Sequence, residues 1–157
     1  MQITDIMTVG IEVIQPEAPV RIAAEKMRNF NVGFLPVCDR EKLVGMLTDR
    51  DITVRTVAPG IDLNTPVREL MTSEVKFCYD DQSLDEARQL MQEHLIRRLP
   101  ILDANKRFVG IVSLEDLVAV EQRLAGKVLE QVSEIVQERS VTSVAFLSSR
   151  SVTPNAS

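Results

Sequence analysis

The chain carries one histidine, no tryptophan, one tyrosine and two cysteines in 157 residues, and each scarcity removes a class of function. Cys38 and Cys78 are too few and too far apart for a disulfide framework or a Cys-x-x-Cys site, and His94 has no cysteine at ligand spacing. A metal site and a catalytic triad both lack their parts, so no enzyme is expected. Aromatics make up 4% of the chain, which leaves no base-stacking platform. Positive charge is also short: 18 Lys and Arg stand against 23 Asp and Glu, a net charge of −5, so no global field collects phosphate backbones and nucleic acid is disfavoured as a partner. No apolar run approaches the ~20 residues of a membrane span, and the opening Met-Gln-Ile-Thr-Asp lacks the basic-then-apolar order of a signal peptide. The expectation is a cytoplasmic protein with no membrane contact.

What the chain does have, it has twice. Met7-Thr8 recurs as Met71-Thr72, an offset of 64 that also relates Ala23 to Ala87, Met27 to Met91, Leu35-Pro36 to Leu99-Pro100 and Asp39 to Asp103. One extra residue in the second turn makes the offset 65, and Val44-Gly45, Thr48 and Asp51 then match Val109-Gly110, Ser113 and Asp116. Two copies of one unit fill residues 5–53 and 69–118. With the connector divided between them, the expected organisation is residues 1–60 as the first repeat, 61–121 as the second, and 122–157 as a C-terminal amphipathic helix and mobile tail.

Within each copy the hydrophobic period changes in the same order. Residues 11–14 and 75–79 read as short strands. A helix follows, with Pro19 in the first helical turn and Val20, Ala23, Met27 and Phe30 on one face; in the second copy Ser83 and Glu86 form a capping box ahead of Leu84, Ala87, Met91 and Leu95. Residues 34–38 with 43–48, and 99–102 with 108–113, read as hairpins whose nearly all-apolar strands are covered on both faces. New helices start at Asp49 and Leu114. The fold class is therefore α/β, built from two β-α-β-β-α repeats, and the Pro- and Gly-punctuated connector between them is short enough to keep them packed together.

At this point the residues carry a family resemblance. Asp5-Ile6-Met7-Thr8 and Glu69-Leu70-Met71-Thr72 open the copies, Val32-Gly33-Phe34-Leu35-Pro36-Val37 and Ile96-Arg97-Arg98-Leu99-Pro100-Ile101 stand in the middle, and Val44-Gly45-Met46-Leu47-Thr48-Asp49-Arg50-Asp51 and Val109-Gly110-Ile111-Val112-Ser113-Leu114-Glu115-Asp116 close them. The full order, present twice over about three quarters of the chain, resembles the cystathionine-β-synthase (CBS) domain. The resemblance implies a CBS pair, or Bateman module, in a stand-alone bacterial protein that forms a disc-like homodimer. It also implies a regulatory adenosyl ligand, of the AMP, ADP, ATP, S-adenosylmethionine or NADH class, in a cleft between the repeats.

The residues supply their own reading beside it. Thr48 and Ser113 stand where a strand stops and a helix begins, so the helix N–H groups, a hydroxyl and the positive dipole end converge on one spot that suits an anion. Asp51 and Asp116, one turn on, offer paired acceptors for ribose hydroxyls. Arg97-Arg98 replaces Gly33-Phe34 in the second copy, so the stronger site is expected around Thr72, Ile96, Arg97, Arg98, Pro100, Ser113 and Asp116, with Arg98 on a phosphate and Ile96 and Pro100 walling the adenine. A weaker site is expected around Thr8, Val32, Gly33, Phe34, Pro36, Thr48, Arg50 and Asp51. The plainer alternatives stay open: Ser/Thr-x-x-Asp is also a helix N-cap, and Arg97 and Arg98 pair equally well with Glu93 or Asp103 at the surface. His94 is placed at a helix C-terminus, where a cation suits the dipole.

Beyond Leu114 the helix continues past the repeat with Leu117, Leu124, Val128, Val132 and Ile135 on one face. Gly126 is a candidate break, residues 141–147 a candidate strand, and residues 148–157 a polar, mobile end. An amphipathic face of this length also supports a competing reading, a ligand-free dimeric scaffold that uses this helix to contact another protein.

Overall fold

The structure is a computed structural model and describes residues 1–148, with side chains through residue 137. It divides into two compact units, Met1–Leu117 and a second beginning at Val118. The first unit holds both repeats. The first repeat contains α1 (Val20–Phe30), β1 (Phe34–Asp39), β2 (Lys42–Thr48) and α2 (Asp49–Ile52), which widens into a π-helical turn over Thr53–Val57. The second contains β3 (Cys78–Tyr79), α3 (Leu84–His94), β4 (Arg98–Leu102), β5 (Phe108–Ser113) and the start of α4 (Leu114–Ser148). In each repeat the two long strands form an antiparallel hairpin, Phe34 opposite Thr48 and Arg98 opposite Ser113, and β3 adds a short parallel edge to β4.

Several local expectations need correction. Residues 11–14 form no strand: Ile14 alone donates to the Pro36 carbonyl (3.0 Å) and accepts from Cys38 N–H (2.9 Å), and Pro16 prevents continuation of the ladder. Phe30 and Leu95 are exposed, because α1 and α3 end in left-handed residues, Asn31 and Leu95, just where each apolar stripe would make its last turn. And α4 neither breaks at Gly126 nor yields a strand at 141–147, since the helix runs unbroken through both. The expectation of a mobile tail falls, for residues 149–157, outside the described residues. The capping box Ser83–Glu86 is present, and Pro19 is the N-cap of α1 rather than a residue of its first turn, with α1's first amides, Val20 and Arg21, donating to the connector carbonyls of Thr65 and Leu63.

The repeats are joined by exchange. The opening Thr8 pairs its backbone with Ile111 of β5, and Thr72 pairs with Met46 of β2, which are equivalent contacts under the 64/65 offset. Close approach there explains the repeated glycine: a Cβ at Gly110 would stand 2.8 Å from the Thr8 carbonyl oxygen, and one at Gly45 would stand 2.4 Å from Met71 Sδ and 3.0 Å from the Thr72 carbonyl oxygen. Equivalent positions also meet one another, Lys42 with Arg107 and Phe34 with Arg98, as a two-fold relation between the repeats requires. The apolar cores follow the same exchange. Val67 and Leu70 are buried with Val20, Leu35 and Leu47 of the first repeat, while Ile3 is buried with Ala87, Leu99 and Val112 of the second.

The described part of the second unit is helical, with Leu124, Val128, Leu129, Val132, Ile135 and Val136 about half exposed or more. Among the described residues no helix is long and apolar enough to cross a membrane.

Candidate functional site

The exchange brings the end of β2 in the first repeat against the start of β4 in the second. Between them lies a cavity of about 280 Å³, lined by Phe34, Met46, Thr48 and Asp51 from the first repeat and by Thr72, Val75, Lys76, Ile96, Arg98 and Pro100, with Glu74 and Arg97, from the second. The expected sites are therefore regrouped. Thr72, Ile96, Arg97, Arg98 and Pro100 line one cavity with Phe34, Thr48 and Asp51, whereas Ser113, opposite Arg98 in the hairpin, and Asp116 do not line it. The reason is topological: Thr72 bonds to Met46, so the second repeat's opening residues are fixed beside the first repeat's Ser/Thr-x-x-Asp corner. Of the weaker set, Thr8 is bonded to Ile111, Val32 packs on the first core, Gly33 lies against Asp49, Pro36 is fully buried, and Arg50 does not line the cavity.

The chemistry at the corner also differs from expectation. The N-terminal amides of α2 do not point at open space. Thr48 N–H donates to Asp51 Oδ2 (3.0 Å), Asp49 N–H to the Gly33 carbonyl (2.9 Å), Arg50 N–H to Asp49 Oδ1 (2.8 Å) and Asp51 N–H to Thr48 Oγ1 (3.1 Å). This is a reciprocal capping box, and it consumes the donors that an anion would need. Positive charge in the cavity comes instead from side chains. The Arg98 guanidinium lies 4.6 Å from the Phe34 ring centroid, a cation–π contact that holds the arginine across the repeat boundary. Lys76 lines the same wall, and Arg97 is ion-paired with Glu115. That pairing, with the Glu115 backbone N–H first and Arg97 second, holds the Glu115 carboxyl below its usual range. Neither Glu93 nor Asp103, the expected partners, is used: Glu93 accepts from Gln89, and Asp103 from Arg107.

The two Ser/Thr-x-x-Asp corners are not equal. Ser113 accepts from Asp116 N–H (3.1 Å) and also donates its hydroxyl to Asp116 Oδ2 (2.6 Å), whereas Thr48 only accepts, so its hydroxyl proton stays available to a ligand. Asp51 is mostly buried and keeps Oδ1 toward Arg55, 3.4 Å away. Arg55 escaped the sequence reading. Its spacing of four from Asp51 was visible as a helical pair, but its other partners, the Leu70 carbonyl (2.9 Å) and the Thr72 hydroxyl (3.3 Å), come from fifteen and seventeen residues away.

Cys38 and Cys78 are buried free thiols, pushed up to about 11 by that burial, with Glu86 adding to the rise at Cys78. Among the described residues no three His, Cys, Asp or Glu side chains gather where they could hold a metal ion.

A sequence model of the CBS domain matches residues 3–56 and 67–123, one match for each repeat. The chain belongs to the CBS domain family. The "CBS domain-containing protein YhcV" of Bacillus subtilis (strain 168) is 44% identical over 133 residues, covering 83% of this chain and 94% of that protein. Among solved structures, Hypoxic Response Protein I with two coordinated zinc ions is 36% identical with a TM-score of 0.69, over 76% of this chain and 98% of that one. CBSX2 in complex with AMP is 27% identical with a TM-score of 0.68, over 79% and 98%. The CBS domain pair of MJ0100 in complex with 5-methylthioadenosine and S-adenosyl-L-methionine is 28% identical with a TM-score of 0.66, over 76% and 98%. This chain is thus a tandem CBS pair followed by a helix, the architecture its repeats implied.

Proposed function

We propose that the chain is a non-catalytic sensor that takes an adenosine-containing ligand in the Thr48–Asp51–Arg98 cavity. The carrying observation is the composition of that cavity. Asp51 offers a carboxylate to a ribose diol, Arg98 and Lys76 stand where a phosphate or other anionic group is met by side chains, and Met46, Val75, Ile96 and Pro100 supply an apolar wall for a purine. The volume lies close to the lower end of small-molecule sites. Relatives of the same fold crystallised with AMP, methylthioadenosine and S-adenosylmethionine support the same chemical class. Like the family resemblance, the proposal includes a homodimer whose presentation to a partner protein changes with the ligand.

The test is a thermal-shift screen of the full chain with AMP, ADP, ATP, S-adenosylmethionine and NADH, with adenosine as the phosphate-free control. A ligand at 100 times its dissociation constant adds about 2.7 kcal/mol, so melting is expected to rise by roughly 5–10 °C. Arg98→Ala should remove most of the shift given by a phosphorylated ligand and leave that of adenosine unchanged. No shift with any compound overturns the reading. That outcome favours the scaffold reading, in which the repeats form the dimer and the exposed apolar face of α4 contacts another protein, and it is checked by whether Val128→Asp abolishes binding of that protein while the dimer stays intact in sedimentation.

A further inference from the structure

Arg55 does not line the cavity, yet it touches two of the polar groups that do. We propose that Arg55 is a positioning residue that makes the cavity selective for a ribose carrying both hydroxyls, by fixing Asp51 as an acceptor and Thr72 as a donor. The inference rests on the nucleotide reading above and deepens it.

Three contacts carry it. The guanidinium is anchored by donating to the Leu70 carbonyl at 2.9 Å, and the Arg55 side chain is 44% exposed, so backbone contact and not burial holds it in place. From that anchor one edge faces Asp51 Oδ1 at 3.4 Å. Thr48 N–H holds Oδ2, so the carboxylate is gripped at both oxygens and its plane is set, while each oxygen keeps a second acceptor direction for a ligand hydroxyl. The same guanidinium nitrogen that bonds Leu70 also donates to the Thr72 hydroxyl at 3.3 Å. A hydroxyl that accepts from an arginine must aim its own proton elsewhere, and Thr72 lines the cavity. The result is an oriented pair, acceptor on one wall and donor on the other, both set from behind by one cation. The equivalent position in the second repeat is Val120, so the Ser113–Asp116 corner has no such backing and binds its aspartate with its own serine.

The experiment measures dissociation constants of AMP and of 2′,3′-dideoxy-AMP by calorimetry, on the full chain and on Arg55→Ala, Asp51→Asn and the double variant. The parent is expected to prefer AMP by about tenfold or more, the worth of hydrogen bonds to a charged group. In Arg55→Ala the loss should fall on AMP, bringing the preference to within about twofold of unity. In the Asp51→Asn background Arg55→Ala should change it less than it does in the parent, because one of the arginine's two routes, that carboxylate, is already gone and only the Thr72 hydroxyl remains. A preference retained in Arg55→Ala, even with both affinities lowered equally, overturns the positioning role and leaves the nucleotide reading standing. A fall in the double variant as large as the one in the parent also overturns it, as does a parent that binds both compounds alike. Failure of the parent to bind either compound overturns the nucleotide reading itself and this inference with it.

Discussion

Leu95 has a backbone φ of +52° and is 91% exposed, two unfavourable placements for one side chain. An L-residue with a branched apolar side chain gains nothing in the left-handed region and covers no apolar surface there. The equivalent residue in the first repeat is Asn31, at φ +53°, a residue type that tolerates this conformation at a helix C-terminus. Leu95→Asn is therefore expected to stabilise the protein by about 1 kcal/mol, a rise of roughly 2–4 °C in melting temperature for a chain of this size, measured by calorimetry. A lower melting temperature would show that the leucine covers apolar surface, on a partner subunit for instance. Comparing the two repeats made this residue legible from sequence in retrospect, yet periodicity alone assigned it to the core. At the cavity the same contrast holds. Thr48, Asp51, Thr72, Ile96 and Pro100 were identifiable from the repeated motif, and Arg98 from the place where the copies differ. Which of them share a cavity was not, because local spacing carries no information on which strand end faces which, and Arg55 acquires its role only through contacts at long sequence separation.

The elements show why two glycines recur and a third does not. Gly110 sits in β5 where the first repeat's opening segment crosses, and an added Cβ would stand 2.8 Å from a backbone carbonyl oxygen, an atom that cannot swing aside as a side-chain end can. Gly110→Ala should break the Thr8–Ile111 bridge and cost about 1–3 kcal/mol. Gly126, within α4, has nothing within 4 Å of the same added atom, and Gly126→Ala should increase helicity at 222 nm through a propensity gain of up to about 1 kcal/mol. The pair of substitutions is identical in chemistry and opposite in expected sign, so circular dichroism melts of both separate close approach from propensity; destabilisation by both would refute the assignment. Hairpins and both long repeat helices were legible because their apolar periods are strong. The opening strands were read too long, since residues 11–14 form only the Ile14 bridge and only Cys78–Tyr79 of residues 75–79 is a strand, and the continuity of α4 was obscured because a single glycine lowers helix propensity without stopping a helix.

For the molecule as a whole, the exchanged segments decide how it unfolds. Each core contains residues from the other repeat's opening turn: Ile3, wholly buried, belongs to the second core, and Val67, also wholly buried, belongs to the first. Opening one core therefore removes a buried side chain's partners from the chain segment that leads into the other repeat, and the two should unfold as one cooperative step. The protein supplies its own reporters. Cys38 lies in the first repeat and Cys78 in the second, both buried, and burial raises both thiols to about 11, so neither reacts with a disulfide reagent at pH 8 until its surroundings open. Val67→Ala deletes packing only from the first core, at about 1–3 kcal/mol. If the repeats were independent, Cys38 alone would become more reactive; with the cores linked by exchange, labelling of Cys38 and Cys78 should accelerate by the same factor, about five- to a hundred-and-fifty-fold for that loss of stability, when opening is fast relative to labelling. Peptide mapping of the labelled chain reads the two sites separately, and acceleration confined to Cys38 would show that the pair is two domains in contact rather than one unit. Equal acceleration would also give the proposed ligand response a physical route, because a ligand bridging Asp51 and Arg98 would then stabilise both repeats at once.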